Sequence, residues 1–103
     1  MRYLALAITT RKPKQGSLTG LNRAEKAAEL RRCTRERAAE ITRWLADQHL
    51  DDQVGEVVSD NVMNVIFMEA TPEVKKRLID APNVMAVSVV DEFPVQLLHQ
   101  HSS

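Results

Sequence analysis

A single cysteine, Cys33, excludes an internal disulfide and any cysteine-based zinc cage, and points to a reducing compartment. No apolar run is long. The first, from Tyr3 to Ile8, is shorter than a signal-peptide core and far shorter than a membrane span, so a cytoplasmic chain without a membrane anchor is expected. Glycine is scarce, and the basic stretch Arg11-Lys12-Pro13-Lys14-Gln15-Gly16-Ser17 lacks the glycine-rich loop ending in Gly-Lys-Ser/Thr that cradles phosphates. It reads as a solvated loop broken by Pro13 and Gly16. Histidine occurs only at positions 49, 99 and 101, too few and too scattered for a metal site. No catalytic triad, zinc motif or nucleotide fingerprint is present. The chain therefore reads as non-enzymatic and without a cofactor.

Net charge is zero over 103 residues, but its two signs are segregated. Residues 1–50 hold eleven Lys/Arg against five Asp/Glu, and residues 51–103 hold three against nine, giving +6 and −6. Such a polar molecule can present a basic face to an acidic partner. The simpler reading is that the basic excess decorates one loop and one solvated helix. Arg31, Arg32, Arg35, Arg37 and Arg43 are interleaved with Glu29, Glu36 and Glu40 at helical spacings, as on an ordinary exposed face. Cys33 lies among these arginines, but no neighbouring base or second cysteine accompanies it, so it reads as a bystander thiol.

The clearest local signals lie between Val54 and Val90. Gln53 to Val58 reads as a strand, Ser59-Asp60-Asn61 as a turn, and Val62 to Met68 as a β-branched, nearly uncharged central strand. Thr71-Pro72-Glu73 then opens a helix: a side-chain cap, a residue with fixed helical φ, and a carboxylate at the positive end of the dipole. Val74, Leu78 and Ala81 form its apolar stripe, and Pro82 ends it. Val84 to Val90 is a final strand. Upstream, Tyr3 to Ile8 alternates with period two, placing Leu4, Leu6 and Ile8 on one face and Ala5 and Ala7 on the other. Asn22 to His49 contains neither proline nor glycine, and Ala27, Leu30, Thr34, Ala38, Ile41 and Leu45 share one helical stripe. That stripe is thin at its start, so the second half of the helix is expected to pack on a sheet.

Strand, helix, strand, strand, helix, strand in one domain over residues 1–92, with a tail at 93–103, is the order of an α+β, ferredoxin-like βαββαβ sandwich: a four-stranded antiparallel sheet with two helices on one face. If Leu4, Leu6, Ile8, Ile66, Met68 and Ala70 face the helices, then Ala5, Ala7, Val65 and Phe67 line the open face. A solvated sheet face ordinarily alternates apolar with polar residues. An open face that is apolar along its central strands marks a docking surface, for another protein or for a second copy.

The run Asn64-Val65-Ile66-Phe67-Met68-Glu69-Ala70-Thr71-Pro72-Glu73, continued by Leu78 and by Asp80-Ala81-Pro82-Asn83-Val84-Met85-Ala86-Val87, resembles the propeptide-type inhibitor domain of subtilisin-like serine proteases. In that family a central strand runs into a Ser/Thr-Pro-Glu helix start, a leucine, and a turn into the last strand. The resemblance covers roughly residues 53–92. It implies that the open sheet face lies on two surface helices of the protease. It further implies that the segment after the last strand enters the substrate cleft as a product-like strand. Residues Asp91 to Leu98 would then approach the cleft, with Val95, Gln96, Leu97 and Leu98 as its contacts. A free-standing relative would act in trans as an inhibitor or folding helper.

Two other classes share the element order. One is a self-associating regulator or small-ligand domain, a homodimer formed by pairing two open faces. The other is RNA binding, since the Met1-Arg2-Tyr3 start and the Val84 to Val90 ending look like the ferredoxin-like ribosomal protein of the small subunit. RNA-recognition sheets stack bases on two or three aromatics. Here only Phe67 and Tyr3 are available, and that scarcity together with neutral net charge speaks against nucleic acid.

Overall fold

A computed structural model describes residues 2–91. In chain order the elements are β1 (Leu4–Thr10), α1 (Arg23–Asp47), β2 (Val54–Val58), β3 (Val65–Ala70), α2 (Pro72–Leu78) and β4 (Val84–Val90), with short 3-10 turns at Gln15–Leu18 and Asp51–Gln53. The strands form one antiparallel sheet in the order β2-β3-β1-β4. This α+β arrangement, with two helices, is compatible with a ferredoxin-like one.

Period-two alternation decides which side of the sheet is covered. Leu6 pairs with Met68 and Ile8 with Ile66 across β1 and β3, so all four point the same way, and each is fully buried. The helical stripe Ala38, Ile41 and Leu45 of α1 and Val74 and Leu78 of α2 join them in one core, closed by Leu50, Ala70 and Ala81. The thin start of the α1 stripe behaves as its composition dictates. Residues Ala24 to Lys26 are exposed, Ala27 and Leu30 are half-buried, and full burial begins at Cys33 and Thr34. Trp44 is half-buried against the core.

Local chemistry sets the helix ends. Asn22 caps α1 in a capping box: its Oδ1 accepts from the Glu25 N–H at 2.8 Å, while the Asn22 N–H donates to Glu25 Oε1 at 2.9 Å. Thr71 caps α2 by accepting from the Val74 N–H at 3.4 Å, and its own hydroxyl donates to Gln53 Oε1 at 2.7 Å. The cap therefore also ties the start of α2 to the entry of β2.

Most boundaries shift by one or two residues from the sequence expectation, and three of the differences have a structural cause or consequence. β3 begins at Val65 rather than Val62, because Asn64 adopts a left-handed conformation (φ 58°) that breaks the extended path. The β2–β3 connection is instead organised by buried Asn61, whose amide donates to the Val65 carbonyl at 2.8 Å and whose Oδ1 accepts from the Met63 N–H at 3.0 Å. β1 runs on to Thr10, whose N–H and hydroxyl both donate to the Asn64 carbonyl, at 2.9 and 2.8 Å. Helix α2 stops at Leu78, although Ala81 still buries as its stripe requires.

Because Ile41 and Leu45 are wholly enclosed, truncating either to alanine is expected to cost about 2–5 kcal/mol in urea unfolding, through lost burial and the cavity left behind. Arg35→Gln, on the exposed side of the same helix, should change stability by less than about 0.5 kcal/mol. Equal losses for the two sets would mean that α1 is covered on both sides.

Candidate functional site

On the sheet side away from α1 and α2, one row of side chains runs Val58, Phe67, Ala7, Ser88 across β2, β3, β1 and β4. A second row joins Val65, Thr9 and Ala86, and a third joins Glu69, Ala5 and Val90. The four residues singled out from sequence, Ala5, Ala7, Val65 and Phe67, therefore share one face. Ala5, Ala7 and Val65 are half-buried, and Phe67 is only 7 % exposed although it stands outside the core cluster. Alanine and serine on β1 and β4 leave that half of the face low, and Phe67 and Val58 line the other half. Polar groups bound the apolar centre: Glu69 at one end, Thr9 and Ser88 at the others.

Val58, Ala86 and Val90 also belong to this face and are not reached by simple alternation. In β2, Gly55 and Glu56 together oppose the single residue Glu69, a bulge that moves Val57 inward opposite Met68 and Val58 outward opposite Phe67. The Glu56 N–H donates to Glu69 Oε1 at 3.2 Å, and a Cβ at Gly55 would stand 3.2 Å from the Glu69 Cβ. Glycine keeps that approach open. In β4, Met85 is the extra residue between the Thr9–Ala86 and Thr10–Val84 pairs. The one sequence sign of either bulge is a glycine inside a strand pattern.

The expected cleft contacts Val95, Gln96, Leu97 and Leu98 lie outside the described residues. Among the described residues, no three His, Cys, Asp or Glu side chains are grouped to hold a metal ion, and no helix is long and apolar enough to cross a membrane. Cys33 is 6 % exposed on the inner side of α1, a setting in which a thiol is chemically quiet.

The basic first half of α1 is mostly an ordinary solvated face. Arg32 bonds both Glu29 and Glu36, Arg37 reaches Glu40 at 3.2 Å, and Arg31 Nε lies 3.9 Å from Asp60 of the β2–β3 loop. Arg23 and Lys26, with Ala27, Leu30 and Val62, line a shallow groove between that helix and the loop. Arg32 also alters the titration of its partner: its hydrogen bond holds the Glu29 carboxyl below the ordinary carboxylate value, against a smaller opposing effect of desolvation. Comparison with family models, curated proteins and solved structures finds no match to the chain.

Two measurements follow from this geometry. Ala7→Glu should leave a folded protein, with stability within about 1 kcal/mol of the parent by urea titration, whereas the adjacent Ile8→Glu should prevent folding by burying a charge in the core. Tolerance of both would mean that the two sides of β1 are misassigned. For Glu29 the folded carboxyl pKa is depressed, so its contribution is present above the unfolded value and is lost as pH falls through the folded one. In a carboxyl-carbon NMR titration Glu29 should therefore titrate below an ordinary glutamate, and Arg32→Gln should move it back up; a Glu29 titration unchanged in Arg32→Gln would contradict this.

Proposed function

We propose that the chain is a ferredoxin-like βαββαβ protein-interaction module that docks through the sheet face formed by Ala5, Ala7, Val65 and Phe67, extended by Val58, Ala86 and Val90. The observation that carries this reading is the placement of the buried stripes of both helices on the opposite side, in one core with Leu6, Ile8, Ile66 and Met68. That leaves an apolar centre on a sheet face to which neither helix contributes. Low side chains on β1 and β4 suit the close approach of helices from a partner, which settle their ridges where the sheet is shallow.

The partner class we propose is a subtilisin-like serine protease, with the chain acting in trans as a propeptide-type inhibitor or folding helper. Support comes from the capped Thr71-Pro72-Glu73 helix start directly after β3 and from the turn at Asn83 into β4. On this reading the segment after β4 enters the substrate cleft and binds by strand addition through its main chain, with Val95 and Leu97 toward pockets on one side and Gln96 and Leu98 toward the other. A reducing compartment such as the cytoplasm suits a chain with one buried thiol. Neither nucleic acid nor a membrane is required by any part of this reading.

Full-length protein added to a purified subtilisin-like protease should inhibit hydrolysis of a small peptide substrate at micromolar concentration. A chain ending at Glu92 should still bind, more weakly, but no longer block the substrate. Ala7→Glu should weaken both effects at least tenfold by placing a charge at the centre of the docked face. A protease left fully active by the parent chain would remove the inhibitor reading.

A further inference from the structure

The two edges of the sheet are built differently. β2 is five residues long, is broken by the Gly55–Glu56 bulge, and turns the Glu56 N–H onto the Glu69 carboxylate. Bulges, short length and charge are the devices by which proteins blunt an edge against further pairing. β4, the other edge, is seven residues long and carries no charge, proline or glycine. Its bulge is confined to Met85, so Ala86 to Val90 pair without interruption with Thr9 to Ala5. Among the described residues no strand pairs with its outer side. Val89, which shares the helix side with Leu6, is nonetheless 53 % exposed at this edge.

We infer that β4 is a self-association edge: two copies of the chain pair antiparallel through Ala86–Val90, about a two-fold axis at Ser88, into one continuous sheet. Self-complementarity favours a second copy over a different peptide. An antiparallel two-fold pairing sets each residue opposite its mirror position, so any charge near the axis would confront its own kind or leave an unmatched partner; this strand has none. With the axis at Ser88, the two serine hydroxyls face each other and can hydrogen-bond. Val87 stands opposite the partner's Val89, covering an exposed side chain on the helix side, and Ala86 stands opposite the partner's Val90, small against large on the other. Met85, the irregular residue, falls outside the paired stretch.

An antiparallel continuation has its axis perpendicular to the sheet. Both copies then keep their helices on one side and their Ala7–Phe67 faces together on the other. The pair would be bivalent for whatever occupies that face. Self-association through the edge does not depend on the protease reading, and either can fail without the other.

The test uses the full chain. Sedimentation equilibrium over a rising concentration series should reach twice the chain mass of 11.6 kDa. Ser88→Lys, which sets like charges opposite each other at an exposed position, should weaken association at least tenfold without altering the thermal unfolding midpoint by more than a few degrees. In a Cys33→Ser background, Ser88→Cys should form a disulfide-linked pair under mild oxidation. Ala86→Cys, offset from its own copy by four residues along the strand, should not. A chain that stays monomeric up to millimolar concentration, because its own residues 92–103 or nothing at all covers the edge, would overturn the inference. So would a dimer in which Ser88→Cys fails to link or Ala86→Cys links equally well.

Discussion

Packing of the α1 stripe onto alternate residues of two central strands is the constraint on which the rest of the molecule depends. Leu6, Ile8, Ile66 and Met68 are fully buried beneath Ile41 and Leu45, and each such burial is worth roughly 1.5–3 kcal/mol. A slip of one residue in either strand would send those side chains to water and bring Ala7 or Phe67 into the core. The core thus fixes the register, and the register fixes what the other face displays. The Asn64 carbonyl, taking two hydrogen bonds from Thr10, and the Arg11 N–H donating to the Asn83 carbonyl at 2.9 Å pin the far end of β1 in the same register.

Much of this was legible because it depends on periodicity and on cap chemistry, both of which are local. Ala27, Leu30, Thr34, Ala38, Ile41 and Leu45 announce the inner side of α1 at spacings of three and four, and Thr71-Pro72 announces the start of α2 within two residues. What was not legible depends on partners distant in the chain. Val62 and Met63 look like strand residues, yet the left-handed turn at Asn64 and the side-chain bonds of Asn61 hold them in an exposed loop. The Met85 bulge leaves no mark in composition, because an extra residue in one strand is defined only against its neighbour. Its effect is to set Val84 opposite Thr10 and Ala86 opposite Thr9, so that two residues of equal parity in one strand fall on opposite faces.

The two surfaces differ in how the chain manages them. The face away from the helices has small residues on β1 and β4, half-buried Ala5, Ala7 and Val65, a buried Phe67, and exposed polar groups at Glu69, Thr9 and Ser88. The β2 edge is interrupted by the Gly55–Glu56 bulge, while β4 has one bulge, at Met85, followed by an uncharged stretch that pairs without interruption from Ala86 to Val90.

The central claim is that association occurs on the sheet side away from the helices. Its most direct test is backbone and methyl shift mapping of isotope-labelled chain titrated with a catalytically inactivated subtilisin-like protease. The account predicts perturbations concentrated at Ala5, Ala7, Val58, Val65 and Phe67, with the exposed side of α1 unchanged. Perturbations concentrated instead along Arg23 to Arg35, with the sheet face silent, would contradict it.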